Sequence, residues 1–211
     1  AVNLFVNSLF PQDLNRLQPE RTKFSELFRF FKPPLKLNQS LCQELDLIHS
    51  IAQCSLDWSD CVQRRMLQAV YCRLTNEDIE CPHRGNHWQL IGFQGNDPAT
   101  DLRAVGLFGV VQLLYLVRPG DMMFLARRLY SVSNSETQPF PLAVLSLNIT
   151  NIVLNATNTS KLNRECNNRN CVLDVLNSFY AALLVYVLNT WVSQNKTIKD
   201  SGYLLKGEIT P

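Results

Sequence analysis

The sequence predicts an all-α fold, a single globular domain of helices packed around one buried central helix. Apolar residues recur at helical spacing along most of the chain, and no alternating strand pattern exceeds four residues. The segment 104–117 is apolar apart from a single glutamine, which is typical of a buried helix. The 211 residues can enclose one core, so we assign 1–211 to one domain, with 1–37 as a candidate extension of it.

In the first half, residues 1–31 predict short helices that end at a Lys-Pro-Pro sequence. A capping box at Ser40 predicts a helix that continues to Leu56. The next helix begins near Asp57 or Ser59 and is followed by a polar loop, 75–85. Its predicted buried face comprises Val62, Met66, Val70 and Leu74.

In the second half, Arg118–Pro119–Gly120 ends the buried helix, and Asp121 predicts the cap of a helix at 122–130. Residues 140–157 predict another helix. A polar link leads to the longest helix, at about 171–194. The predicted buried stripe of that helix comprises Val172, Val175, Leu176, Phe179, Leu183, Tyr186, Val187 and Trp191.

Composition limits the classes of function. With 46% hydrophobic residues, 18% charged residues and a net charge of +2, the chain resembles an ordinary globular protein, and it lacks the basic stripe of a nucleic-acid binder. The apolar runs are too short or too interrupted to predict a transmembrane segment. Seven scattered cysteines favour reduced thiols and a cytoplasmic location. Five glycosylation sequons favour the alternative, a secreted helical glycoprotein: Asn38, Asn148, Asn155, Asn158 and Asn195.

A metal site is a weaker alternative. Cys72, Cys81, His83 and His87 are spaced Cys-x8-Cys-x-His-x3-His, which matches no structural zinc site. We therefore predict no metal and no cofactor.

The stretch 87–103 carries the strongest functional signal, because it contains two glycines, a proline and two aspartates. Asp97–Pro98 predicts a helix start, which places Arg103 within the first two turns. A cation there opposes the helix dipole, and no acidic residue lies three or four positions away. Gly106 and Gly109 predict a close approach by another part of the structure, since glycine weakens a helix.

Two interpretations of Arg103 follow. In the first, it pairs with a carboxylate of another helix. In the second, it is an exposed guanidinium that binds an anion, and phosphate suits its planar pair of donors. The chain has no phosphate-binding Gly-x-x-x-x-Gly-Lys-Ser/Thr loop, so the phosphate would belong to another protein, as for an arginine finger.

The same stretch resembles the signature of the ELMO domain, in its ELMOD branch. The resemblance extends over about 40–205, and Phe140–Pro141 and 147–150 are similar to a later helix of that family. It implies a GTPase-activating protein for a GTP-loaded Arf or Arf-like GTPase. It further implies a cytoplasmic protein, peripheral to membranes through that partner, with Arg103 as the catalytic residue. The implied partner-binding residues are Trp88, Gly92, Phe93, Gln94, Gly95, Asp97, Thr100 and Asp101.

Two departures from the family pattern suggest reduced activity. Ala104 and Phe108 occupy positions where the family has Gly and Leu. The alternative function is a non-catalytic helical module that binds a GTPase or acts as a scaffold, as the related ELMO proteins do without this arginine.

Overall fold

The structure, a computed structural model, describes residues 35–197. This part of the chain contains eight α-helices and two 3-10 turns and no β-strand, so the prediction of an all-α fold is confirmed. The 3-10 turns are Pro98–Thr100 and Leu102–Ala104. The α-helices are α1 (Gln39–Gln53), α2 (Cys61–Thr75), α3 (His87–Leu90), α4 (Gly106–Leu116), α5 (Asp121–Ser133), α6 (Leu142–Asn158), α7 (Asn163–Arg169) and α8 (Val172–Ser193).

Helix α4 is the predicted buried central helix, and α1, α2, α5, α6 and α8 all pack against it. Phe108, Val110 and Leu113 are at most 1% exposed. Its one polar residue, Gln112, is also completely buried, and neither atom of its amide has a partner in the described part of the protein. The apolar composition of 104–117 therefore reflects a position at the centre of the core.

The end of α1 positions the start of α4. Gly106 has a φ of +51°, and a Cβ there would lie 2.3 Å from the carbonyl oxygen of Ala52. The Leu107 N–H donates to the carbonyl of Cys54 at 3.0 Å. A Cβ on Gly109 would lie 2.6 Å from the side chain of Leu147 in α6. The close approach predicted at both glycines is therefore made within the protein.

Several local predictions were wrong. Helix α1 begins at Gln39 after Asn38, without a side-chain cap, so Ser40 is no capping box. Helix α2 is capped by Asp60 and turns Val62 outward, with Met66 half-buried. Its buried residues are Leu67, Val70, Tyr71 and Leu74. Val70 and Leu74 were predicted correctly, whereas Val62 and Met66 were not. The buried face also includes Leu67 and Tyr71, which lie one position after Met66 and Val70.

The later helices also differ in detail. Asp121 lies in the first turn of α5, after Gly120, and this helix continues to Ser133. The polar link contains α7, which the sequence did not predict. On α8, Phe179 and Leu183 are half-buried and Tyr186 is exposed. The side chains that replace them in the buried stripe are Tyr180, Ala181, Leu184 and Leu188.

By length and composition, α8 is the one described helix that could cross a membrane on its own. However, 61% of its most apolar window is buried inside the fold, which is the position of a core helix. The short helices predicted in 1–31, and most of the candidate extension 1–37, lie outside the described residues.

Candidate functional site

Arg103 lies on a short 3-10 turn that is separate from the buried helix. The segment Pro98–Ala104 meets α4 at an angle of 106°, and Val105 forms the bend. Arg103 therefore lies before α4, and not within the first two turns of the helix as the sequence predicted. The bend turns Arg103 away from the core that α4 occupies.

Two buried aromatic residues of this stretch, Trp88 and Phe93, form an aromatic cluster that anchors it in the core. Trp88 and Phe93 are 1% and 3% exposed, and their ring centroids are 6.0 Å apart in an edge-to-face arrangement. The indole N–H of Trp88 donates to the carbonyl of His83 at 3.1 Å. Burying two large aromatic rings anchors the segment, since each contributes about 2–3 kcal/mol of apolar burial.

Gly92 joins this segment to α6. Its φ of +87° favours glycine, and a Cβ there would lie 2.1 Å from the backbone nitrogen of Leu142. The carbonyls of Ile91 and Gly92 accept from the N–H groups of Ala143 and Val144 at 3.0 and 3.1 Å. Two unpaired N–H groups at the start of α6 are thereby satisfied by the central stretch.

Asp97 fastens the first 3-10 turn to two other loops. One carboxylate oxygen caps the turn by accepting from the Ala99 N–H at 3.0 Å, and it also accepts from the Trp58 indole at 3.2 Å. The other accepts from Nε of Arg84 at 3.0 Å. We call Trp58, Arg84 and Asp97 the aspartate clamp. It ties the turn before Arg103 to the loop that precedes α2 and to the loop that precedes α3.

Arg103 is exposed, and its guanidinium is oriented by a backbone carbonyl three residues earlier in the chain. Its Nε donates to the carbonyl of Thr100 at 2.8 Å. Within residues 35–197, the ion pairs are Arg84–Asp97 and Arg169–Glu165, and neither includes Arg103. Among the described residues, Arg103 therefore does not pair with a carboxylate of another helix, in contrast to the first interpretation. The two terminal nitrogens of the guanidinium have no hydrogen-bond partner in the described chain.

Asp101 connects Arg103 to the preceding loop. One oxygen of its carboxylate accepts from the backbone N–H of Gln94 at 2.6 Å. Partial burial raises the pKa of Asp101, although the Gln94 hydrogen bond and the charge of Arg103 act in the opposite direction. The carboxylate thus lies within electrostatic reach of the guanidinium without forming an ion pair with it.

The predicted partner-binding residues differ in burial. Trp88, Gly92 and Phe93 are buried, so these three cannot touch a partner directly and instead support the segment. Asp97 is half-buried in the clamp. Gln94, Gly95 and Thr100 are exposed, and Asp101 is half-buried. We call these four residues together with Arg103 the arginine surface.

The two departures from the family pattern occupy different places. Ala104 is exposed beside Arg103, whereas Phe108 is 1% exposed in the core. Only Ala104 is placed where its extra carbon could meet a partner.

Sequence reasoning missed two members of the aspartate clamp. Trp58 and Arg84 lie 39 and 13 residues before Asp97 in the chain. Neither lies in a motif, and no spacing connects them to Asp97, so only the fold shows that they meet. Trp58 also stacks on His83, with the ring centroids 5.1 Å apart and the planes 9° from parallel.

The residues weighed as zinc ligands have other neighbours. His83 stacks on Trp58, and His87 packs against Tyr71 with ring centroids 5.5 Å apart. Across the described range 35–197, no three His, Cys, Asp or Glu side chains converge in a group that could hold a metal ion.

The sequence of the chain is similar to those of proteins from one family. The model of the ELMO/CED-12 family matches residues 46–205. The chain is 43% identical to human ELMO domain-containing protein 3 over 193 residues, which cover 90% of this chain and 51% of the relative. The mouse protein of that name is 42% identical over 193 residues, which also cover 90% of this chain and 51% of the relative. Human ELMO domain-containing protein 2 is 35% identical over 63 residues, which cover 30% of this chain and 21% of that protein.

The chain spans about half the length of the ELMO domain-containing protein 3 sequences that it matches. No solved structure matches it. The family model covers well over half of the chain, including every residue of the arginine surface and of the aspartate clamp. The chain therefore belongs to the ELMO/CED-12 family.

Proposed function

We propose that this protein is a GTPase-activating protein for GTP-loaded GTPases of the Arf and Arf-like family, and that Arg103 acts in trans as an arginine finger. ELMO family proteins are linked to small-GTPase signalling. The observation that carries the proposal is the state of Arg103: it is exposed, held through Nε alone, and unpaired with any carboxylate of the described chain.

The proposed mechanism is electrostatic. The arginine surface docks beside the bound nucleotide, and the guanidinium reaches the β- and γ-phosphates. There it neutralises the charge that develops on the phosphoryl oxygens in the transition state, an effect of about 10³–10⁵ in rate where arginine fingers are known. The Thr100 hydrogen bond limits the rotamers of Arg103 before docking, which lowers the entropy lost on binding. The aspartate clamp holds the turn in place.

The protein would act in the cytoplasm and reach membranes through its GTPase partner. No cofactor is required for this chemistry, since the Mg²⁺ ion and the nucleotide both belong to the GTPase.

Single-turnover GTP hydrolysis tests the proposal. A panel of Arf and Arf-like GTPases is loaded with GTP and mixed with wild-type protein, Arg103→Lys or Arg103→Ala. We expect the wild type to accelerate hydrolysis for at least one GTPase, and both variants to lose most of that acceleration. Arg127→Lys, at an exposed arginine of α5, is the matched control and should behave as wild type. If Arg103→Lys stimulates as strongly as wild type, the arginine-finger mechanism is wrong.

A second candidate is a non-catalytic module that binds the GTP-loaded GTPase without accelerating hydrolysis. Exposed Ala104 favours it, because this residue places a methyl group beside Arg103 where the family pattern has glycine. In that case, wild-type protein binds the GTPase in a GTP-dependent manner and leaves the hydrolysis rate unchanged. Ala104→Gly would then gain stimulating activity if the methyl group alone prevents close approach.

A further inference from the structure

We propose that Gln94 is a second catalytic residue, whose side-chain amide orients the attacking water while Arg103 neutralises charge on the phosphates. This inference rests on the proposed function and extends it, since it assigns the water-orienting group to this protein instead of its partner. Three features of Gln94 lead to it: a fixed backbone, a side chain without a hydrogen-bond partner in the described residues, and a backbone hydrogen bond to Asp101, two residues before Arg103.

The backbone of Gln94 is fixed on both sides. Its N–H donates to the carboxylate of Asp101 at 2.6 Å. The preceding Phe93 is 3% exposed in the aromatic cluster, and Gly92 is packed directly against the backbone of Leu142. Gly95, with a φ of +78°, then turns the chain away. Gln94 is thus presented by a constrained turn, which is the way catalytic side chains are held when their position matters.

The side chain of Gln94 is exposed and makes no hydrogen bond within the described part of the chain. A nearby glutamine of the same stretch behaves differently, because Nε2 of Gln89 donates to Asn96 at 3.2 Å. A free amide offers two donors and one acceptor on a short, neutral group. It can accept a hydrogen bond from a water molecule and donate one to a phosphate oxygen at the same time.

Asp101 connects the backbone of Gln94 to the turn that carries Arg103. Its carboxylate accepts a hydrogen bond from the backbone N–H of Gln94. It also lies two residues before Arg103, whose positive charge acts to lower the pKa of Asp101. Gln94 and Arg103 are therefore two exposed residues of the arginine surface that both act on the carboxylate of Asp101, one through a backbone hydrogen bond and one through its charge. The amide carries no charge, so it complements the cation instead of repelling it.

The proposed step is hydrolysis by in-line attack. The oxygen of the water forms a bond to the γ-phosphorus, and the bond from that phosphorus to the β–γ bridging oxygen breaks. GDP leaves with the electron pair of the broken bond, and the proton that the water loses passes to a phosphate oxygen. The Gln94 carbonyl accepts from the water and fixes its direction, which is the role that small GTPases otherwise give to a glutamine of their own.

The experiment uses a GTPase from the panel that wild-type protein stimulates. Single-turnover rates are measured over a range of concentrations for wild type, Gln94→Ala and the near-isosteric Gln94→Glu. We expect the maximal rate to fall at least about tenfold in both variants, the range for a lost proton-handling or positioning group. The concentration for half-maximal stimulation should change by less than about twofold, since binding is retained. Gln89→Ala is the matched control and should keep the wild-type maximal rate.

A second arm isolates the amide directly. The GTPase's own water-orienting glutamine is replaced by leucine, which ordinarily abolishes stimulation by an arginine finger alone. If Gln94 supplies the amide, wild-type protein still stimulates this GTPase and Gln94→Ala does not. The inference is overturned if Gln94→Ala keeps the wild-type maximal rate, or if the leucine variant of the GTPase no longer responds. Failure of the proposed function itself looks different, because wild-type protein then stimulates no GTPase of the panel.

Discussion

Replacing Gly92 by alanine should strongly destabilise the protein, because this residue connects the candidate site to the core. A residue with a side chain at a φ of +87° costs about 1–2 kcal/mol. The added Cβ would also lie 2.1 Å from the backbone nitrogen of Leu142, so the two segments must separate. Separation weakens the two hydrogen bonds that cap α6, at about 1 kcal/mol each.

These contributions amount to about 3–4 kcal/mol, a large part of the about 5–15 kcal/mol that stabilises a typical domain. For a domain of this size the midpoint of thermal unfolding should fall by about 6–16 °C. The free energy of unfolding is measured by urea titration followed by far-UV circular dichroism. The slope of that titration should not change if unfolding remains two-state.

Gly95→Ala is the matched control. Gly95 also has a positive φ, at +78°, but a Cβ there would meet no atom within 4 Å. The Gly95→Ala variant should therefore lose only the conformational contribution to the free energy of unfolding, about 1–2 kcal/mol. If Gly92→Ala and Gly95→Ala lose the same free energy, the close approach of Gly92 to α6 contributes nothing, and the proposed link between the site and the core is refuted.

Three other predictions follow from buried or bridging polar groups. Gln112→Met should raise the urea midpoint, because it removes two buried amide atoms without partners in the described chain while keeping the side-chain volume. Glu44 accepts from the N–H groups of Val172 and Leu173 at the start of α8, at 2.9 and 2.8 Å. Burial raises its pKa, but these backbone donors together hold the pKa below its usual value. Because the pKa of Glu44 is lower in the folded protein than in the unfolded chain, the ionised carboxylate stabilises the fold at pH values above the ordinary pKa of a carboxyl group. The difference in unfolding free energy between wild type and Glu44→Gln should therefore be largest at neutral pH. It should vanish as the pH falls through the lowered pKa. Asp97→Ala should lower the free energy of unfolding by about 1–3 kcal/mol in the same titration, because it leaves the turn uncapped. Arg84→Ala should lower it by less than about 1 kcal/mol, because the arginine side chain is 75% exposed. Equal losses for these two variants would show that the turn does not depend on the Asp97 cap.

Much of the fold could be predicted from helical periodicity and apolar content. The central helix was recognisable because 104–117 is almost entirely apolar, which is typical of a helix buried on all sides. Helix α7 could not be recognised, since its seven residues include three asparagines and no apolar stripe. It is stabilised by tertiary contacts instead: the amides of Asn163 and Asn167 donate to the carbonyls of Leu35 and Lys36.

The candidate site was only partly predictable. Arg103 stood out because no acidic neighbour at helical spacing accounts for its charge. The motif could not distinguish the residues that lie at the surface, such as Gln94, from those that are buried, such as Trp88. It also could not reveal the bend at Val105, because a 3-10 turn and the first turn of an α-helix have similar sequence requirements.

The most direct test of the arginine finger is binding to a transition-state mimic. A GTPase that responds in the hydrolysis assay is loaded with GDP and aluminium fluoride, and its affinity for wild-type protein and Arg103→Ala is measured by calorimetry. An interaction made mainly in the transition state predicts that wild type binds this complex at least about 100-fold more tightly than the GDP form, and that Arg103→Ala loses this preference. Equal binding of wild type and Arg103→Ala to the aluminium fluoride complex would contradict the account.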